Sequence, residues 1–283
     1  MSEFDFYKGF NSMGNEMSVL NLMSSNVQNF TTPGFKAQDT SFEEIMTEGQ
    51  GLGAFRQGNS TTFTQGKIKK SNNALDLAIH EGNVGNPCGT FFVISDGKRV
   101  RYTRAGSFEM KEGKLVDKFS NLRVQGYAID ENGNKKSDTL QSIDLPQDPI
   151  TKKYGGMYSE VRFGDDGKLV GELKVSDPLT KQQITKTVPL FQVALASFSD
   201  PRALAQAGPT SYEATDASGK PNLGVVGDDG IVAQVDNQSL EMSNVDVPTM
   251  YQNMILAKMV YDVQLSAFKA MNSMTQSAAN LVK

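Results

Sequence analysis

Val247-Pro248-Thr249-Met250-Tyr251-Gln252-Asn253-Met254-Ile255-Leu256-Ala257-Lys258-Met259-Val260-Tyr261, continuing to Lys283 without a further Pro or Gly, is the stretch on which the fold turns. Alternate steps of three and four from Val247 land on Met250, Met254, Ala257, Tyr261, Gln264, Phe268, Met271, Thr275, Ala278 and Val282, and only Gln264 and Thr275 are polar. That spacing puts the apolar side chains on one stripe of a helix. Asn244 and Asp246 supply a start signal, and Pro248 falls where a first helical turn tolerates it. At 1.5 Å per residue the helix would extend roughly 55 Å, too long to lie across one small domain.

The other end repeats the pattern. Steps of four and three from Phe6 land on Phe10, Met13, Met17, Leu20, Ser24 and Val27, again mostly apolar. This helix is expected to stop before Thr31-Thr32-Pro33-Gly34, where Pro33 restricts the residue before it and Gly34 permits a left-handed turn. Between the two helices the period changes to two. Thr90–Ile94, Arg99–Thr103, Val161–Phe163 and Phe191–Leu195 read as short strands, with Asp96-Gly97, Glu112-Gly113, Asn132-Gly133, Asp166-Gly167 and Ser218-Gly219 as turns.

The expected class is therefore α+β: N- and C-terminal helices paired as an α-helical stalk, with a central, mainly antiparallel β domain. The expected boundaries are an N-terminal helix over 1–36, an extended connector over 37–72, the β domain over 73–235 and the C-terminal helix over 236–283. A helical hairpin folded back over the β domain fits the periodicity as well. If the helices cover only one stripe of each other, Phe4, Tyr7, Met23, Met259, Leu265 and Met274 stay exposed and call for neighbouring subunits.

Composition removes several functions. The 28 Lys and Arg against 32 Asp and Glu give a net charge of −4 and a pI near 5.2, which offers no field for a phosphate backbone or an anionic membrane. One Cys and one His cannot build a Cys/His zinc cluster or an intramolecular disulfide. No apolar run reaches the roughly 18 residues of a membrane span, and Met1-Ser2-Glu3-Phe4-Asp5 lacks the start of a cleavable signal, so export would need another route.

No catalytic, cofactor-binding or metal-binding residues are expected. His80 and Cys88 share a loop but lack an orienting third group. Asp165-Asp166 and Asp228-Asp229 are neighbours in turns, unable to flank a sugar bond. In Asp130-Glu131-Asn132-Gly133-Asn134, Lys135 stands where a calcium loop needs Gly, and Gln141 where it needs a bidentate Glu. Lys67-Ile68-Lys69-Lys70 reads as a solvated strand face.

Ser25-Asn26-Val27-Gln28-Asn29-Phe30-Thr31-Thr32-Pro33-Gly34-Phe35-Lys36 resembles the N-terminal signature of the bacterial flagellar rod and hook proteins, with Ser25 and Gln28 as departures. Gln65-Gly66, Asn73-Ala74-Leu75-Asp76-Leu77-Ala78-Ile79, Tyr102-Thr103-Arg104-Ala105-Gly106-Ser107-Phe108, Val124-Gln125-Gly126-Tyr127 and Leu240-Glu241-Met242-Ser243-Asn244-Val245-Asp246 resemble further family segments in the same order. The resemblance implies an axial flagellar subunit, polymerising through its terminal helices into a hollow tube that transmits torque and conducts exported subunits. It implies as partners further copies of the chain, other rod and hook proteins, and the export apparatus and cap, with no nucleic acid and no membrane insertion. The implied location is the flagellar basal body or hook, reached without a cleaved signal peptide.

The seams and motifs together give the expected assembly interface: Phe6, Phe10, Met13, Met17, Leu20, Asn26, Asn29, Gly34, Phe35, Asn244, Asp246, Met250, Met254, Tyr261, Phe268 and Met271. Rod and hook stay open. About seventy residues between Tyr127 and Ser199 leave no room for an extra outer domain, which is rod-like. The short passage from Phe42–Met46 to Gly51-Leu52-Gly53 is hook-like. The enlarged loop His80–Cys88 reads as a surface insertion or an intersubunit contact. An enzyme or an adhesin, each a β head oligomerised by a coiled-coil stalk, is the alternative.

Overall fold

A computed structural model describes residues 3–47, 50–81, 89–145, 158–176 and 183–281. These form two compact units, one holding both terminal helices and residues 37–62, the other holding Thr31–Lys36 and Phe63–Asn244.

In the first unit, helix α1 runs Glu3–Gln28 and helix α2 runs Val247–Leu281. Helix α2 starts where Asp246 was expected to start it: the Asp246 carbonyl accepts from Met250 N at 2.9 Å and its carboxylate accepts from the Thr249 hydroxyl. Gln264 Nε2 donates to Ser12 Oγ at 3.2 Å, and Asn26 Nδ2 lies 4.0 Å from Met250 Sδ. The helices therefore run antiparallel. Strands β1 (Gln38–Thr47) and β2 (Gln50–Thr61) form an antiparallel hairpin within the stretch expected to be an extended connector.

The second unit is built on antiparallel β structure. Its first strands are β3 (Ile68–Lys70), β4 (Leu77–Glu81), β5 (Thr90–Ser95), β6 (Val100–Thr103), β7 (Phe108–Lys111), β8 (Lys114–Asp117) and β9 (Arg123–Ala128). Strand β5, Thr90-Phe91-Phe92-Val93-Ile94-Ser95, is buried throughout. Successive side chains of a strand point to opposite faces, so Phe91 and Val93 join a core with Tyr102, Tyr127, Phe198 and Tyr212. Phe92 and Ile94 join another with Leu77, Ile79, Phe108 and Val124. This is why a run without polar alternation is still a strand: both of its faces are covered.

The expected turns form. Glu112-Gly113 closes the β7–β8 hairpin with φ of 49° and 78°, the two-residue geometry whose twist matches the flanking strands. The stretch Phe191–Leu195, expected as one strand, is two. Gln183–Val193 pairs with β9, whereas Leu195–Ser197 pairs with β5 and Asn222–Gly224, so the chain changes partners at Ala194. Toward the end of this unit, Ala233–Asn237 pairs with β4 and Ser239–Glu241 pairs with β3. Those two short ladders carry residues 233–241 back to the strands that open the domain.

Candidate functional site: a buried ionic clasp and two exposed helix faces

The Ser239–Glu241 ladder places Glu241 among residues far away in the sequence. Its Oε1 accepts from Lys36 Nζ at 2.6 Å and from Gly66 N at 2.8 Å, and its Oε2 accepts from Arg104 Nε at 2.8 Å. Arg104 Nη1 also donates to Glu81 Oε1 at 2.9 Å and to the Thr90 carbonyl at 2.7 Å. The side chains of Lys36, Arg104 and Glu241 are fully buried. Two cations thus face two carboxylates in a low-dielectric site, where charges persist only when paired and hydrogen-bonded. Burial alone would raise the Glu241 carboxyl, but Arg104 and Lys36 outweigh it and hold the group below its ordinary range. Burial pushes the neighbouring Tyr212 phenol up.

The backbone closes around this clasp. Gly34 N donates to the Glu241 carbonyl at 2.7 Å, and Gly34 adopts φ of +70°, with Ala105 N 2.2 Å from where a β-carbon would sit. The Thr64 carbonyl accepts from Lys36 Nζ at 2.7 Å and from Asn244 Nδ2 at 3.2 Å. In the Asn73–Ile79 segment, Ser71 Oγ and Asn73 Nδ2 donate to the two Asp76 carboxylate oxygens at 2.6 and 2.7 Å, fixing the turn into β4. Gly34, Lys36, Gln65-Gly66, Arg104 and Glu241 all come from the motif segments. The sequence alone singled out Gly34, Phe35 and Asn244 here. The ionic partners Lys36, Glu81, Arg104 and Glu241 were missed as a site, because a lone charged residue beside a strand ordinarily faces solvent. The only signal was that three of the four sit inside the motifs.

Asn26, in the helical unit, is almost fully buried. Its amide gives to the Gln38 carbonyl at 2.7 Å and takes from Gln38 N at 3.0 Å, reproducing a strand-like pair. Asn29 Nδ2 donates to the Ser25 carbonyl at 2.9 Å at the end of α1. Phe35 is buried, Asn244 is half-buried and Asp246 is exposed.

On α2, Met250, Met254, Tyr261, Phe268 and Met271 are half-buried, as are Met13 and Leu20 on α1. Phe10 and Met17, however, are 62% and 45% exposed. Of the stripe stepping from Phe6, Leu20 lies beside Tyr251, Met254 and Tyr261 of α2, whereas Phe10 and Met17 face water. Ser12 and Asn26 mark the facing line, and Glu16, Val19 and Met23 fall on it at steps of four and three. Met23 and Leu265, expected outside, are half-buried, whereas Met259 and Met274 are exposed as expected. The side chains of Phe4, Phe6 and Tyr7 lie outside the described residues, as do residues 82–88 of the enlarged loop. At its edge, His80 Nδ1 is 3.9 Å from the Asp236 carboxylate.

Of the expected turn acids, Asp228 caps backbone, its Oδ2 accepting from Val225 N at 3.0 Å and pairing with Lys135; Asp130, in the segment weighed as a calcium loop, does the same, its Oδ1 accepting from Asn132 N and Asn134 N at 2.9 and 2.8 Å. No group of three or more metal-ligating side chains occurs among the described residues.

No protein-family model matches the chain. Individual relatives do. The flagellar basal-body rod protein FlgG of Borreliella burgdorferi is 23% identical, over 92% of this chain and 91% of its own length. FlgG of Bacillus subtilis is 24% identical, over 97% of each. The chain is thus similar, at low identity and over most of its length, to flagellar rod proteins, and over about half of its length to a hook protein. The flagellar hook protein FlgE of Borreliella burgdorferi is 28% identical, but over 53% of this chain and 37% of its own length, so the match spans little more than a third of that hook protein.

Proposed function

We propose that this chain is a structural subunit of the flagellar axial assembly. Its terminal helices pair as a stalk and polymerise into a hollow tube that transmits torque and conducts exported subunits. The observation that carries this is the unevenness of burial: the β unit pairs the charges of its central clasp and fills two cores, while the helical unit leaves Phe10, Met17, Leu256, Met259 and Val263 in water. Apolar faces of that size mark contact surfaces rather than finished exteriors. The relatives named as rod and hook proteins supply the context, and their role is structural rather than catalytic. The rod reading is favoured by length, since the match runs nearly end to end with rod proteins and not with the hook protein.

In this role the partners are further copies of the chain, neighbouring rod or hook proteins, and the export apparatus and cap. The location is the basal body or hook. Imaging flagellar remnants from a deletion strain tests the proposal: loss of everything distal to the basal rings is the rod result, and loss of the curved segment alone is the hook result. An intact flagellum in the deletion strain would overturn the proposal.

A further inference from the structure

Among the described residues the β unit buries three carboxylates, Asp76, Asp117 and Glu241. Two of them meet cations. Glu241 pairs with Lys36 and Arg104, and Asp76 lies 3.7 Å from Lys118 Nζ while accepting from Ser71 and Asn73. Asp117, with no exposed surface, forms no ion pair among the described residues.

Asp117 ends β8 and opens the turn into β9. Its main-chain N donates to the Leu122 carbonyl and its carbonyl accepts from Asn121 N, each at 2.9 Å, with Asn121 at φ of +55°. Its Oδ2 accepts from Ser120 N at 2.8 Å and from Ser120 Oγ at 2.6 Å. Its Oδ1 is buried and has no hydrogen-bond partner among the described residues. The charged groups on the elements packed against it are engaged elsewhere or stand in solvent. On β7, Lys111 pairs with Glu109 and donates to Asn121 Oδ1; in the turn, Lys118 faces Asp76. Lys114 of β8 is half-buried and Arg123 of β9 is exposed, and neither pairs with Asp117.

A carboxylate oxygen left bare in the interior is costly when charged, and a group so placed takes a proton instead. We infer that Asp117 is a proton-binding site of the β unit: a proton from solvent sits on Oδ1, while Oδ2 stays an acceptor for Ser120. Burial pushes the Asp117 carboxyl up, and the bonds from Ser120 offset only part of that push. Glu241, which has its cations, is displaced the other way. The two therefore respond to pH in opposite senses. A carboxyl raised on folding contributes stability that is complete below its ordinary value, 3.8 for Asp117, and is lost as the pH rises through the folded value. The proton then passes to water and leaves a buried charge without a cation. The turn that Asp117 closes, which displays Phe119 to solvent, is the part of the β unit that weakens as the pH rises.

The test follows the side-chain carboxyl signals of the full chain, labelled with carbon-13 aspartate, by NMR across pH. The Asp117 signal is the one absent from Asp117→Asn or, where that variant does not fold, the one displaced in Ser120→Ala. It should titrate with a midpoint above 3.8, and a midpoint at or below that value overturns the proposal. Ser120→Ala removes a donor that favours the charged form, so the midpoint should move further up; a midpoint that stays or falls contradicts the site. A midpoint that falls on adding calcium chloride at constant ionic strength also overturns it, since Oδ1 would then take a cation rather than a proton. In denaturant, the midpoint of Asp117→Asn should gain on that of the unaltered chain as the pH rises above 3.8 and then level off, whereas a gap independent of pH overturns the proposal.

Discussion

The clasp and the helix pair solve opposite problems. Around Glu241, charged side chains are buried and each meets an opposite charge inside the chain. Along α2, apolar side chains stand in water and find no cover among the described residues. A buried charge without a partner is costly at once, whereas an exposed apolar face costs little until another surface arrives to cover it. Mutations should therefore act on stability at the first region and on association at the second.

The largest effect should follow from Glu241→Ala, which leaves buried Lys36 without its carboxylate and Arg104 with Glu81 alone. Removing one partner of a buried ion pair costs about 3–5 kcal/mol, to be read from the denaturant midpoint of the β unit. An unchanged midpoint would mean that the clasp is dispensable. Next comes Gly34→Ala: at φ of +70° its β-carbon would meet Ala105 N at 2.2 Å, so overpacking of about 1–3 kcal/mol is expected on top of the backbone strain.

Acid should separate the two regions as well. The Glu241 carboxyl is held below its ordinary value of 4.5, so its stabilising contribution is present above that pH and is lost as the pH falls through the lowered folded value. Unfolding of the β unit should ease as acid is added below about pH 4.5, and Glu241→Gln should remove that part of the pH dependence. The smallest change in stability, within about 0.5 kcal/mol, is expected for Met259→Asp, because its side chain is exposed in the lone chain. A shift of several kcal/mol there would mean that the α2 surface is already covered.

Much of this contrast is legible in the sequence, although unevenly. The helix from Val247, the stop before Pro33, the paired turns and the strand at Thr90 follow from period, caps and glycine placement, all of them local signals. The hydrogen-bonding line of α1 does not, because Phe6, Phe10, Met13, Met17 and Leu20 form a cleaner apolar series than Ser12, Glu16, Val19, Met23 and Asn26. Ser12 and Asn26 of the more polar series nevertheless make the hydrogen bonds to α2 and to the hairpin, while Leu20 of the apolar series also lies against α2. The clasp is least legible, since four residues separated by up to 205 positions meet only after two short ladders form.

Hydrogen exchange across a concentration series tests most directly whether the exposed helix faces await copies of the same chain. Amides in 10–28 and 250–281 should gain protection steeply with protein concentration, while those around Ile79, Phe92 and Glu241 hold constant. Equal protection of the helices at the lowest and highest concentrations would contradict the account.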